Sequence, residues 1–131
     1  MKRIVLLVLA FTVILAINKA NAQNKNQSAA NIEVLQFHSE HRCVTCQKIE
    51  KLTKATLAKS FPAIPFKLYN VDDKANAKLT EKFEVTGTAL FLNNPKTGKK
   101  KNLTEFAFMK AGNDAAFDTE LKKYIEEFSK N

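Results

Sequence analysis

The spacing of apolar residues changes several times along this chain, and each change marks an expected element. Ile32 to His38 leaves little polar face, which predicts a central strand covered on both sides. From Cys43 the period becomes helical: Ile49, Leu52, Thr56 and Leu57 share one stripe, while Lys48, Lys51 and Lys54 lie outside it. Glu50 and Lys54 add an i,i+4 ion pair in the favourable order, and Pro62 marks the helix end. Ile64 to Val71 reads as a second strand, with Pro65 near its start, where a missing N–H is tolerated. Asp72 and Asp73 can cap a short helix carrying Ala75, Leu79 and Phe83, which Gly87 ends.

Thr88 to Leu92 is an expected third strand. The turn Asn93-Asn94-Pro95-Lys96-Thr97-Gly98 joins it to an expected fourth strand over Leu103 to Met109, making a hairpin. After Gly112, Asn113 or Asp114 caps a last helix with Phe117, Leu121, Tyr124, Ile125 and Phe128 on one face. The order is β-α-β-α-β-β-α, an α/β chain whose strands can form one mixed four-stranded sheet.

The first 22 residues follow a different logic. Lys2 and Arg3 precede an apolar run from Ile4 to Ile17, and Ala20-Asn21-Ala22 supplies a small-x-small cleavage pattern. This predicts a secretory signal peptide over residues 1–22, cut before Gln23. The competing reading is a membrane anchor. A run of fourteen residues falls short of the roughly 20 that span a bilayer, so cleavage is favoured and no membrane insertion is expected afterwards. Residues 23–31, rich in Asn, Gln, Ser and Ala, then form a loose arm before a single domain over 32–131. Cleavage takes the formal charge from +8 to +5 and leaves 109 residues, enough for one domain. The remaining excess is spread over helices and the Lys99-Lys100-Lys101 cluster. No aromatic-basic interleaving accompanies it, so a solvated surface is expected and nucleic acid is not an expected partner. Export implies the periplasm in a Gram-negative source and secretion otherwise.

Candidate chemistry concentrates in one place. Cys43 and Cys46 are the only cysteines, and they sit between the first strand and the first helix. In an exported chain they are expected to form a disulfide. A bridge closing so small a loop constrains the unfolded chain little, so its use is chemical more than structural. Residues three apart at a helix start share a face at a separation that suits a disulfide. Cys43 would sit exposed near the N-cap and Cys46 a turn further in. Free N–H groups, the helix dipole and the neighbouring Arg42 favour an anion at Cys43. Cys43 is therefore the expected nucleophile and Cys46 the resolving thiol, with Arg42 assisting and Thr45 limited to tuning. No further cofactor is needed, and the expected partners are protein or small-molecule thiols and disulfides.

This arrangement resembles the thioredoxin fold from about Ile32 to Phe128, in the minimal, glutaredoxin-sized, three-layer form. The local pattern His38…Arg42-Cys43-x-Thr45-Cys46 is also similar to a small group of exported bacterial thioredoxin-like proteins labelled as a nitrophenyl-compound reductase subunit. A membrane or exported reductase is therefore an implied partner. The chain departs from the thioredoxin pattern three times. Ala89 stands where a cis-proline shapes the substrate groove, Arg42 replaces an aromatic residue, and Gln36 stands where a buried acid accepts a proton. By the same resemblance, Thr45, Thr88 and Ala89 line the groove.

A binding module is the competing reading. His38 and His41 are the only histidines, and with Cys43 and Cys46 they can supply four zinc or copper ligands. That describes a metal carrier or a redox-inert adaptor. No carboxylate pair, serine triad or phosphate-binding glycine loop is present, so hydrolase and nucleotide-binding readings have no support.

Overall fold

The computed structural model describes residues 31–130. The leader expected at 1–22 and nearly all of the arm expected at 23–31 lie outside the described residues. Four strands and four α-helices follow in the order β1 Glu33–His38, α1 Val44–Ser60, β2 Phe66–Asn70, α2 Ala77–Phe83, β3 Ala89–Asn93, β4 Lys100–Asn102, α3 Thr104–Lys110 and α4 Asp114–Lys130. A short 3₁₀ turn, Lys74–Asn76, leads into α2, and Asp73 caps it by accepting from the Ala75 N–H at 2.9 Å.

The sheet order is β2-β1-β3-β4. β1 runs parallel to β2, with Phe37 opposite Tyr69, and antiparallel to β3, with Phe37 opposite Ala89. The central position expected for β1 follows from its sequence, since every residue from Glu33 to Phe37 is buried. Alternation divides its side chains between two cores. Val34 joins Leu90 and Leu92 beneath α1, α3 and α4, where Ile49, Leu57, Phe106, Phe117, Leu121 and Ile125 close the larger core. Leu35, Phe37 and Phe91 face the other way, onto Phe83 of α2. The fold is therefore a three-layer α/β sandwich around a mixed four-stranded sheet. No described helix is long and apolar enough to cross a membrane.

Two expectations need correcting. Leu103 to Met109 is not a strand: β4 is the lysine stretch Lys100–Asn102, and α3 occupies nearly all of the expected segment. Buried Leu103, Phe106, Ala107 and Ala111 follow a helical period, while Phe108 and Met109 are exposed. The aromatic content of the segment suggested a strand, but the ladder ends where the Leu103 N–H reaches the Leu90 carbonyl at 2.7 Å. Lysines make a serviceable edge strand because their stems lie over rings and their charge discourages pairing with another edge. Lys99 lies 4.7 Å from the Phe128 ring centroid, Lys101 4.7 Å from Tyr124, and Lys100 5.3 Å from Phe83 on the opposite face.

The second correction concerns the end of α2. The helix stops at Phe83, and Glu84, not Gly87, takes the left-handed conformation at φ 54°. The N–H groups of Glu84 and Val85 then close the helix end onto the carbonyls of Glu81 and Thr80.

Candidate functional site

Cys43 is the N-cap of α1, with extended backbone at φ −74° and ψ 155°, so the helix starts at Val44. Its side chain replaces the usual serine or aspartate: Cys43 Sγ accepts from the Cys46 N–H at 3.0 Å, satisfying one of the helix's open donors. The two sulfurs are bonded to each other, with Cα atoms 5.1 Å apart. Cys46 is buried at 4% exposure, whereas Cys43, Val44 and Thr45 are exposed, Val44 at 85%. One sulfur therefore meets solvent and the other the protein interior.

Three elements converge on Cys46. From β1, fully buried Gln36 donates through Nε2 to the Cys46 carbonyl at 2.9 Å, while its Oε1 is buried and has no hydrogen-bond partner. From the start of β3, the Thr88 hydroxyl donates to Cys46 Sγ at 3.1 Å. The third element is α1 itself. Of the three expected groove residues, Thr45 is exposed beside the pair and Thr88 touches it. Ala89 packs at 7% exposure in the core on the other sheet face. The described residues contain no cis peptide bond.

Arg42 turns away along α1. Its guanidinium donates to Glu50 Oε2 at 2.5 Å, and Lys54 donates to Glu50 Oε1 at 2.5 Å. Burial opposes ionisation of Glu50, but hydrogen bonds from Lys54 and Arg42 outweigh it and hold this carboxyl below its ordinary range. The cation next to Cys43 in sequence is thus shared with a carboxylate eight residues further on. Helical spacing could have pointed to Glu50, since positions 43, 46, 47 and 50 lie on one face. Its pairing with Arg42 was hidden because Arg42 lies outside the helix. A further ion pair, Lys48 to Asp114 at 3.0 Å, ties the start of α1 to the start of α4.

The two histidines are separated in role from the sulfurs. His38 ends β1 with Nδ1 2.8 Å from the Ser39 carbonyl oxygen, and His41 is exposed in the loop before Arg42. Among the described residues, no three His, Cys, Asp or Glu side chains group in a way that could hold a metal ion. His38, His41, Cys43 and Cys46 therefore do not assemble as a ligand set in the disulfide form. Metal binding at cysteine requires thiolates, which this bond consumes.

No protein-family model and no curated protein matches the chain. Solved structures do. Thioredoxin from Fasciola hepatica aligns at 22% identity over 86% of this chain and 93% of its own, with a TM-score of 0.50. A malarial protein aligns at 21% identity over 61% of this chain and 94% of its own, with a TM-score of 0.43. Thioredoxin from Thermus thermophilus aligns at 22% identity over 68% of this chain and 65% of its own, with a TM-score of 0.38. The first of these supports a thioredoxin-like fold.

Proposed function

We propose that this protein is an exported thiol–disulfide oxidoreductase whose Cys43–Cys46 pair cycles between disulfide and dithiol. One observation carries the reading: the disulfide caps a helix in a thioredoxin-like fold, with one sulfur exposed and the other enclosed. In that arrangement an incoming thiolate has access to Cys43 Sγ. Its attack forms a mixed disulfide and breaks the Cys43–Cys46 bond, and Cys46 departs as a thiolate that the Thr88 hydroxyl is placed to stabilise. A second thiolate of the partner then attacks its own mixed-disulfide sulfur, releasing Cys43. The partner leaves as a disulfide, and its two electrons and two protons reside on the Cys43 and Cys46 thiols.

The reverse direction uses the same groups. Cys43, stabilised as an anion by the Cys46 N–H and the helix N-terminus, attacks a partner disulfide, and Cys46 resolves it. Val44, the exposed apolar residue beside Cys43, offers a contact for a partner's side chain. Export is supported by the leader pattern of residues 1–22, and the periplasm follows if the source is Gram-negative. The local His38…Arg42-Cys43-x-Thr45-Cys46 pattern supports a membrane or exported reductase as a partner.

The test is catalysis of insulin reduction by dithiothreitol. Wild-type protein should accelerate it, and Cys43→Ser should abolish the acceleration while keeping the fold by circular dichroism. Equal acceleration by wild type and Cys43→Ser would remove the basis for this reading.

A further inference from the structure

Two residues of this site keep a buried polar atom without a partner, Arg42 at Nε and Gln36 at Oε1, and the one bonded to Cys46 is Gln36. It lies on the central strand at 0% exposure, on the sheet face that α1 covers. Its Nε2 donates to the Cys46 carbonyl at 2.9 Å, which fixes the orientation of the amide: the reverse orientation would set two oxygens against each other. Oε1 is left buried and without a partner. Such an orphan acceptor is costly, and its persistence in a core calls for a reason. Packing alone does not supply one, because leucine or methionine would fill similar space without the cost.

The covalent state of Cys46 supplies a reason. A disulfide sulfur has no hydrogen to donate, whereas a thiol does. Building on the oxidoreductase reading above, we infer that Gln36 is a positioning residue for Cys46, its Oε1 accepting from the Cys46 S–H once the pair is reduced. The amide is already held beside Cys46 by its other end. Thr88 donates to the same sulfur, which gives the reduced thiol an ordered chain from the Thr88 O–H to Cys46 S–H to Gln36 Oε1. The acceptor is unsatisfied in the disulfide and satisfied in the dithiol, so Gln36 tilts the equilibrium toward the dithiol. That bias favours oxidation of partner dithiols, which supply the two electrons and two protons as they close their own disulfide. The amide cannot ionise, so it contributes the bond without serving as a base.

Two measurements test this, and neither depends on turnover. Cys43→Ser leaves Cys46 as the chain's sole thiol, so the infrared S–H stretch reports that group alone. The expected band lies at hydrogen-bonded frequency in Cys43→Ser and moves to the free-thiol value in Cys43→Ser/Gln36→Met. In glutathione buffers, Gln36→Met in the intact pair should raise the disulfide-to-dithiol ratio about tenfold, a potential about 30 mV more negative. A free-thiol band in Cys43→Ser, a bonded band that survives Gln36→Met, or an unchanged ratio would each overturn the inference. If Gln36→Met does not fold, Gln36→Leu takes its place in both measurements. Inactivity toward insulin with a bonded, Gln36-dependent band would sink the oxidoreductase reading and leave the Cys46–Gln36 bond standing.

Discussion

Replacing Thr88 with valine removes one hydroxyl and keeps the β-branched shape, so it isolates the bond from Thr88 Oγ1 to Cys46 Sγ at 3.1 Å. To a neutral sulfur, disulfide or thiol, this bond is worth about 0.5–1.5 kcal/mol; to a thiolate it is charge-assisted and worth about 1.5–3 kcal/mol. The difference, roughly 1–1.5 kcal/mol, is what Thr88 contributes selectively to the charged form. One pKa unit corresponds to about 1.36 kcal/mol, so Thr88→Val should raise the Cys46 thiol pKa by about one unit. The sign follows from the donor: losing an O–H that favours the anion makes the anion costlier. At neutral pH the thiolate fraction should fall roughly tenfold, and because a more basic thiolate is the better nucleophile, the rate at which Cys46 resolves a mixed disulfide should fall about three- to fourfold. The assay is the pH dependence of Cys46 alkylation in a Cys43→Ser background, with and without Thr88→Val, beside stopped-flow release of a mixed disulfide preformed on Cys43. An unchanged Cys46 pKa, or a release rate equal to wild type, would refute the argument that Thr88 serves the leaving sulfur.

Other positions give independent checks. Glu50→Gln removes the carboxylate that Arg42 and Lys54 share, and urea unfolding at pH 7 should show a loss of about 1 kcal/mol. Because the folded carboxyl titrates below its ordinary 4.5, that stabilisation is complete above this pH and is lost as pH falls through the lower folded value. The gap between wild type and Glu50→Gln should therefore shrink in acid. The same variant frees Arg42, so alkylation of Cys43 should titrate at lower pH; a shift the other way would mean that Glu50 acts by holding the loop. Glu84→Gly relieves the left-handed backbone at φ 54° and should stabilise the fold by about 0.5–1 kcal/mol in chemical denaturation. Phe37→Ala empties a fully buried site ringed by Tyr69, Phe83 and Phe91, with an expected cost of about 3–5 kcal/mol in the same assay.

Where period and composition agreed, the sequence was easily read. The continuous apolar run of β1 and the α4 stripe of Phe117, Leu121, Ile125 and Phe128 each allowed one arrangement, and the structure adopts it. Asn113 was one of two expected caps for that helix, and its Oδ1 accepts from the Ala116 N–H at 3.1 Å. Residues 100–109 were misread because two signals conflicted. The lysines of β4 have poor strand propensity and become a strand only because Tyr124, Phe128 and Phe83 cover their stems, a tertiary effect invisible locally. The phenylalanines of α3 have strand propensity, yet their helical spacing dominates.

The site was legible in its covalent centre and less so in its surroundings. The three-residue spacing of the cysteines at a strand-to-helix junction announced a disulfide at a helix N-cap, with the second sulfur sheltered. The partners of Cys46 come from residues 10 and 42 positions away, contacts set by strand order. Gln36 drew attention in the sequence as a missing acid; in the structure it is a hydrogen-bond donor to the Cys46 carbonyl. Arg42 drew attention as a neighbour of Cys43, and its side chain is instead committed to Glu50.

The central claim is that the exposed sulfur, Cys43, is the one that exchanges. It is tested most directly by the rate at which each single-cysteine protein forms a mixed disulfide with glutathione disulfide at neutral pH. Cys46→Ser, which keeps Cys43 at the helix start, should react roughly a hundredfold faster than Cys43→Ser, whose remaining thiol is enclosed. Equal rates, or faster reaction through Cys46, would contradict the account.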